Sequence, residues 1–175
     1  MIELLDDDAA VSRVSSADIV ALTRAATDAT FHRDDLRPDQ IAHNRHIVQI
    51  SGSTALEAAG NEHQRFVAAF VEGRFAGYVI ATVHDPDSRE LDWLMVHPEF
   101  HGTPVSGALM REGMDWLGPD RPMWLNVIQY NERAIRFYRR FGFEVDSSGP
   151  AERAIPQFIM RRAPGAFGVT EQDSR

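Results

Sequence analysis

One run of residues, from Glu90 to Phe143, constrains this chain more than any other part of it. Glu90-Leu91-Asp92-Trp93-Leu94-Met95-Val96 is mostly apolar with its two acids at alternate positions, which predicts a strand. His97 to Pro104 breaks that strand, because Pro and Gly end regular pairing and the segment has no period. A helix is expected from Ser106 to Leu117, with Val105, Ala108, Leu109, Met114 and Leu117 near one face and Gly118-Pro119 ending it. Trp124-Leu125-Asn126-Val127-Ile128 reads as a second strand, and Asn131 to Phe141 as a second helix stopped by Gly142. The turn His101-Gly102-Thr103-Pro104-Val105-Ser106-Gly107 therefore empties into a helix N-terminus, whose first N–H groups have no partner within the helix and attract negative charge. Small side chains at Gly102, Ser106 and Gly107 would let a phosphate approach the backbone, although a plain surface turn accounts for the pattern equally well.

Two motifs in this run resemble a known family. Val96 to Met110 is similar to the acyl-CoA pyrophosphate loop and helix of the GCN5-related N-acetyltransferases (GNAT). Asn131-Glu132-Arg133-Ala134-Ile135-Arg136-Phe137-Tyr138-Arg139-Arg140-Phe141-Gly142-Phe143 fills every fixed position of their second signature, Asn-x-x-Ala-x-x-Phe-Tyr-x-x-x-Gly-Phe. The first motif departs from the family pattern: His101 stands where Gln or Arg is usual, Pro104 where Gly is usual, and Ser106 where Gly or Ala is usual. Proline lacks an N–H and cannot take a positive φ, so the loop is expected to hold one donor fewer. One hydrogen bond to a charged group is worth about 1.5–3 kcal/mol. Thr103 is expected to cap the helix and Pro104 to open it, since the first helical position needs no N–H partner.

The resemblance implies an α/β fold of the GNAT type, a mixed and mostly antiparallel sheet of six or seven strands flanked by helices. It also implies transfer of an acetyl group from acetyl-CoA, as co-substrate, to a primary amine, by direct attack in a ternary complex. It places the cofactor on the backbone of Leu94, Met95 and Val96, on the loop residues His101, Gly102, Thr103, Pro104, Val105, Ser106 and Gly107, and on Asn131, which could equally cap its helix. It gives Tyr138 the role of protonating or hydrogen-bonding the CoA sulfur, where periodicity alone reads a packing aromatic beside Phe137 and Phe141. His101 is expected to donate to a phosphate in place of the usual Gln or Arg. Glu90 and Asp92 fall on one face because side chains along a strand alternate, and either could take the amine proton directly or through water, with Glu90 taken first; the bland reading leaves both solvated or paired with Arg89. Some relatives carry a Glu on the strand before Asn131, where this chain has Asn126, which cannot act as a base.

A chain of 175 residues with 43% hydrophobic residues suits one packed domain, expected over residues 1–162, with residues 163–175 a loose tail. The absence of Cys removes disulfides, thiolate catalysis and cysteine-ligated zinc. A net charge of −8, from 26 acidic against 18 basic residues, argues against a nucleic-acid partner. No apolar run is long enough for a bilayer and the N-terminus lacks a signal-peptide pattern, so no membrane partner and a cytoplasmic location are expected. No metal is expected: His43 and His46 are three apart on one helix without a further ligand at an obvious spacing, and His97 and His101 are four apart where Pro98 and the turn disfavour a helix.

Elsewhere, Asp6-Asp7-Asp8 reads as a solvated tail, Val11 to Val14 as a first strand, and Ser15 or Ser16 as a helix cap. A second helix opens at Arg37-Pro38-Asp39-Gln40, and Ser51 to Gln64 reads as a loop with a short helical turn near Ala55 to Ala59. Phe66 to Val71 and Ala76 to Val83 form a hairpin through Glu72-Gly73-Arg74. A strand at Glu144-Val145 gives way before Ser147, and Gln157 to Arg161 is the last. By resemblance, Phe31, His32, Asp34, Asp35, His43 and His46 are candidate contacts to a small-molecule or peptide amine acceptor, and a homodimer is common in the family. The alternative is a non-catalytic acyl-CoA-binding or sensing module, which Pro104 and the unassigned base favour and the complete Tyr138 motif opposes.

Overall fold

A computed structural model describes residues 1–31, 35–151 and 154–166. In chain order the elements are β1 (Ile2–Asp6), α1 (Asp7–Val11), α2 (Ser16–Phe31), α3 (Pro38–Ala59), β2 (Gln64–Val71), β3 (Arg74–Asp85), β4 (Ser88–Val96), a 3-10 turn (Pro98–Phe100), α4 (Val105–Leu117), β5 (Met123–Ile128), α5 (Glu132–Arg139), β6 (Glu144–Ala151) and β7 (Gln157–Arg162). The seven strands form one sheet in the order β1-β2-β3-β4-β5-β7-β6, antiparallel at every junction except the parallel one between β4 and β5.

Alternation along the strands divides the core. Val67, Ala69, Val79, Ala81, Leu125 and Val127 face Leu109, Met110 and Met114 of α4 and Ile135 of α5. Phe66, Ala68, Tyr78 and Ile80 face the other way, onto Ile19 and Leu22 of α2 and Ala55 and Ala58 of α3. Buried Tyr78 donates its hydroxyl to Thr23 Oγ1 at 2.8 Å, because the Thr23 proton is already given to Ile19 O. Desolvation pushes the Tyr78 phenol above its ordinary range. Ser15 caps α2 reciprocally with Asp18: the Asp18 N–H donates to Ser15 Oγ at 3.2 Å and the Ser15 N–H to Asp18 Oδ2 at 2.9 Å.

Several local expectations are corrected. Residues 2–6 make the first strand, whereas Val11 to Val14 leave helix α1, and the acidic run is no solvated tail. Asp7 turns the chain at φ 40 and accepts from Phe66 N and from Arg65, which also pairs with Asp6. Helix α3 continues unbroken through Ser51 to Ala59. Its Ser51-Gly52-Ser53 stretch is small because α2 starts against it: a Cβ on Gly52 would lie 2.7 Å from Ser16 O. Strand β6 runs on to Ala151. Just past β7, Gly165 N donates to Pro119 O at 3.1 Å. No helix among the described residues is long and apolar enough to cross a membrane.

Candidate active site

Strands β4 and β5 share a single register pair, Glu90 with Trp124. Beyond it β4 continues to Val96 and β5 to Ile128 without pairing each other, so a cleft opens between neighbouring strands in the middle of the sheet. His97 N donates to Ala76 O in β3 at 2.9 Å, so alternation turns the backbone polar groups of Val96 and Leu94 into the cleft and those of Met95 toward β3. Of the three backbone positions expected to hold the cofactor arm, two therefore face the opening.

The loop after β4 closes one end of the cleft. Gly102 takes φ 77, a left-handed conformation that favours glycine. Pro104 has helical angles (φ −64, ψ −6) and its carbonyl accepts from Ala108 N at 2.9 Å, while Thr103 Oγ1 accepts a long bond from Val105 N at 3.4 Å. Among the described residues the N–H groups of Gly102, Ser106 and Gly107 have no acceptor. The Arg111 side chain folds back over this turn, its nearest guanidinium nitrogen 3.3 Å from where a Gly107 Cβ would stand.

His101 stands between the end of β4 and α5. Its Nε2–H donates to Val96 O at 3.0 Å, and its Nδ1 accepts from the Arg133 guanidinium at 3.1 Å. Both ring nitrogens carry a contact, and these tie the end of β4 to Arg133 of α5. Burial, with the Arg133 and His97 charges, holds the imidazole below its ordinary pKa. Arg111 and Arg133 bring two guanidinium groups to this turn; Arg111, one turn after Gly107, was legible in the sequence, whereas Arg133 was not.

Asn131 caps α5, its Oδ1 accepting from Ala134 N at 3.1 Å. A groove of about 290 Å³ runs past it, lined by Ala29, Thr30, His101 and residues 130–133. Two turns on, Tyr138 packs edge-on against Phe137 and Phe143, with ring centroids 5.5 and 6.4 Å away. Burial pushes its phenol up to about 12, so it stays protonated at neutral pH.

Glu90 is buried, with 6% of its surface exposed. His84 Nε2 lies 2.7 Å from its Oε2, and Asn126 Nδ2 donates to its Oε1 at 3.2 Å. Arg89 is not its partner; that guanidinium donates to the carbonyls of Pro86 and Leu117. A bulge at Asp92 interrupts the alternation assumed for β4: Leu91 joins the core cluster of Val79 and Ala81, and Trp93 the opposite cluster. Asp92 is exposed where Glu90 is buried. Tyr138 packs on the α4 side of the sheet, while Glu90, Asn126 and Thr82 belong to the side of α2 and α3.

Among the candidate acceptor contacts, Phe31 ends α2, Asp35 precedes α3, and His43 and His46 lie on α3. His32 and Asp34 lie outside the described residues. No group of three His, Asp or Glu side chains among the described residues could hold a metal.

Residues 24–143 match the model of the acetyltransferase (GNAT) family. The chain belongs to that family. An uncharacterized N-acetyltransferase of Mycobacterium tuberculosis is 30% identical to this GNAT chain over 139 residues, covering 77% of this chain and 87% of the relative. A mycothiol acetyltransferase of Acidimicrobium ferrooxidans is 37% identical over 87 residues, covering 46% of this chain and 28% of the relative. In fold, the GNAT chain is similar to the PaiA N-acetyltransferase of Thermoplasma acidophilum, solved in complex with coenzyme A, at TM-score 0.72 and 19% identity over 93% of this chain and 99% of that one. The seven-stranded mixed sheet flanked by helices is thus the GNAT fold.

Proposed function

We propose that this GNAT protein transfers the acetyl group of acetyl-CoA to a primary amine of a small molecule or peptide, by direct attack within a ternary complex. The observation that carries the reading is the opening of the sheet past Glu90 and Trp124 toward the unpaired amides of Gly102, Ser106 and Gly107. A pyrophosphate fits those amides, with the Arg111 and Arg133 guanidinium groups supplying charge that offsets the donor Pro104 lacks. The pantetheine arm would follow the cleft-facing backbone of Leu94 and Val96, and Asn131 keeps its Nδ2 for that arm while its Oδ1 caps α5.

The thioester then lies between groups from opposite faces of the sheet. The amine nitrogen forms a bond to the carbonyl carbon, the carbon–sulfur bond breaks, the ammonium proton passes to the Glu90 carboxylate, and the Tyr138 hydroxyl gives its proton to the leaving thiolate. Amide and free CoA are the products, and the proton on Glu90 returns through solvent to Tyr138. No acyl-enzyme is needed, which suits a chain without Cys.

Thiol release from acetyl-CoA, measured across a panel of primary amines, tests the reading. Amine-dependent release that falls in both Tyr138→Phe and Glu90→Gln supports it, and equal release by all three proteins contradicts it.

A further inference from the structure

We propose that His84 is a positioning residue for the base: its imidazole N–H fixes the Glu90 carboxylate at the vertex of the cleft. This rests on the reading of Glu90 as the proton acceptor.

The carboxylate is gripped from both neighbouring strands. His84, near the end of β3, holds Oε2 at 2.7 Å, and Asn126 of β5 holds Oε1 at 3.2 Å. Each carboxylate oxygen has two lone-pair sites, so one site on each remains for the amine proton. The ring is itself oriented. It stacks on Trp124 at 5.7 Å between centroids and 21° between planes, and Trp124 is the residue paired with Glu90 across the parallel junction. Trp124 Nε1 in turn donates to Ser88 Oγ at 3.1 Å. Core packing does not explain His84, whose side chain is 45% exposed while the Glu90 side chain is 8% exposed.

Other charged groups on the surrounding elements are engaged elsewhere or exposed. Arg65 of β2 pairs with Asp6 and Asp7, Arg161 of β7 pairs with Asp146, and Arg89 of β4 holds two carbonyls. Helix α2 buries Ile19, Leu22, Thr23, Ala26 and Thr27, none of them charged, and leaves Arg24 and Asp28 exposed. Asp92, two residues along β4, is the nearest other acid in the sequence and is exposed. Among the described residues, His84 and Asn126 are the side chains that hold the Glu90 oxygens.

The test separates the donor from the ring. His84→Phe keeps an aromatic on Trp124 and loses the N–H, whereas His84→Gln keeps an N–H and loses the ring. With acetyl-CoA and a lysine-bearing peptide as probe acceptor, His84→Phe is expected to lower kcat about tenfold to a hundredfold, the worth of one hydrogen bond to a charged group. His84→Gln stays within a few-fold of wild type, and the affinity for acetyl-CoA is unchanged in both. Wild-type turnover by His84→Phe, or an equal fall in both variants, overturns the proposal. Glu90→Gln in the same assay keeps the two ideas apart: loss there without loss in His84→Phe removes the positioning role alone, while wild-type turnover by Glu90→Gln removes the underlying reading. Ring 15N shifts of His84 in the unliganded wild-type protein give a readout independent of turnover and of variant folding. A protonated Nε2 is expected, and an unprotonated Nε2 overturns the proposal.

Discussion

Glu90 and Trp124 face each other at the one parallel register pair found between β4 and β5 among the described residues, and the two strands part beyond it. A buried carboxylate thus stands at the point where the sheet stops supplying hydrogen bonds to itself. Unpaired backbone inside a sheet is costly unless something binds it. In the function proposed above the cleft seats an extended ligand, with the anion-attracting start of α4 at its far end.

Tyr138→Phe is expected to lower kcat by about a hundredfold or more, the usual worth of a positioned general acid, with acetyl-CoA affinity unchanged. Its folded-state pKa of about 12 lies above the ordinary tyrosine value. The folded protein thus holds this proton more tightly than the unfolded chain does. The associated stability is fully present below about pH 10 and is lost as pH rises toward about 12. Chemical unfolding across that window should show a steeper loss in wild type than in Tyr138→Phe.

His101 carries the opposite sign. Its folded-state pKa is held below the ordinary histidine value, so protonation favours the unfolded chain. Stability tied to this ring is present above about pH 6.5 and is lost as pH falls below it. Protonation of Nδ1 also directs an N–H at the Arg133 guanidinium. His101→Gln should flatten the fall in stability between neutral and mildly acidic pH, measured by urea unfolding at each pH.

Arg111→Ala and Arg133→Ala are each expected to weaken acetyl-CoA binding about tenfold, the worth of one charge-assisted contact. The loss should shrink at high salt, because both guanidinium groups are exposed and screened. Calorimetric titration at two ionic strengths checks both statements.

Gly52→Ala sets two effects against each other. Helix propensity favours Ala by about 1 kcal/mol, yet the added Cβ would lie 2.1 Å from Ser16 Oγ and 2.7 Å from Ser16 O. Ser16 O belongs to backbone and cannot swing away, so overpacking wins. A net destabilisation of about 1–3 kcal/mol is expected in denaturant unfolding.

The features legible in the sequence were local ones. The hairpin at Glu72-Gly73, the Ser15 cap, the Asn131 cap and the succession of elements from Glu90 to Phe143 each follow from a few neighbouring residues. What escaped depends on partners distant in the chain. Gly52 suggests a loop until Ser16 is seen against it, and Asp6-Asp7 suggest a tail until Arg65 arrives from β2. The Asp92 bulge is a property of register with β3 rather than of β4 alone, so period-two reasoning could not find it. Beside the cleft, the Asn131 cap and the helix that carries Tyr138 were readable from their motif. The bond from Arg133 to His101 joins residues thirty-two apart, and the His84 and Asn126 contacts to Glu90 join three strands, so neither had a local signature.

Isothermal titration of acetyl-CoA into the wild-type protein, alongside Pro104→Gly, tests the central claim most directly. Saturable micromolar binding by wild type is the predicted result, with at most a modest gain from the restored loop donor. No detectable heat for wild type, with binding appearing only in Pro104→Gly, would mean that the cleft no longer holds the cofactor and would contradict the acetyltransferase reading.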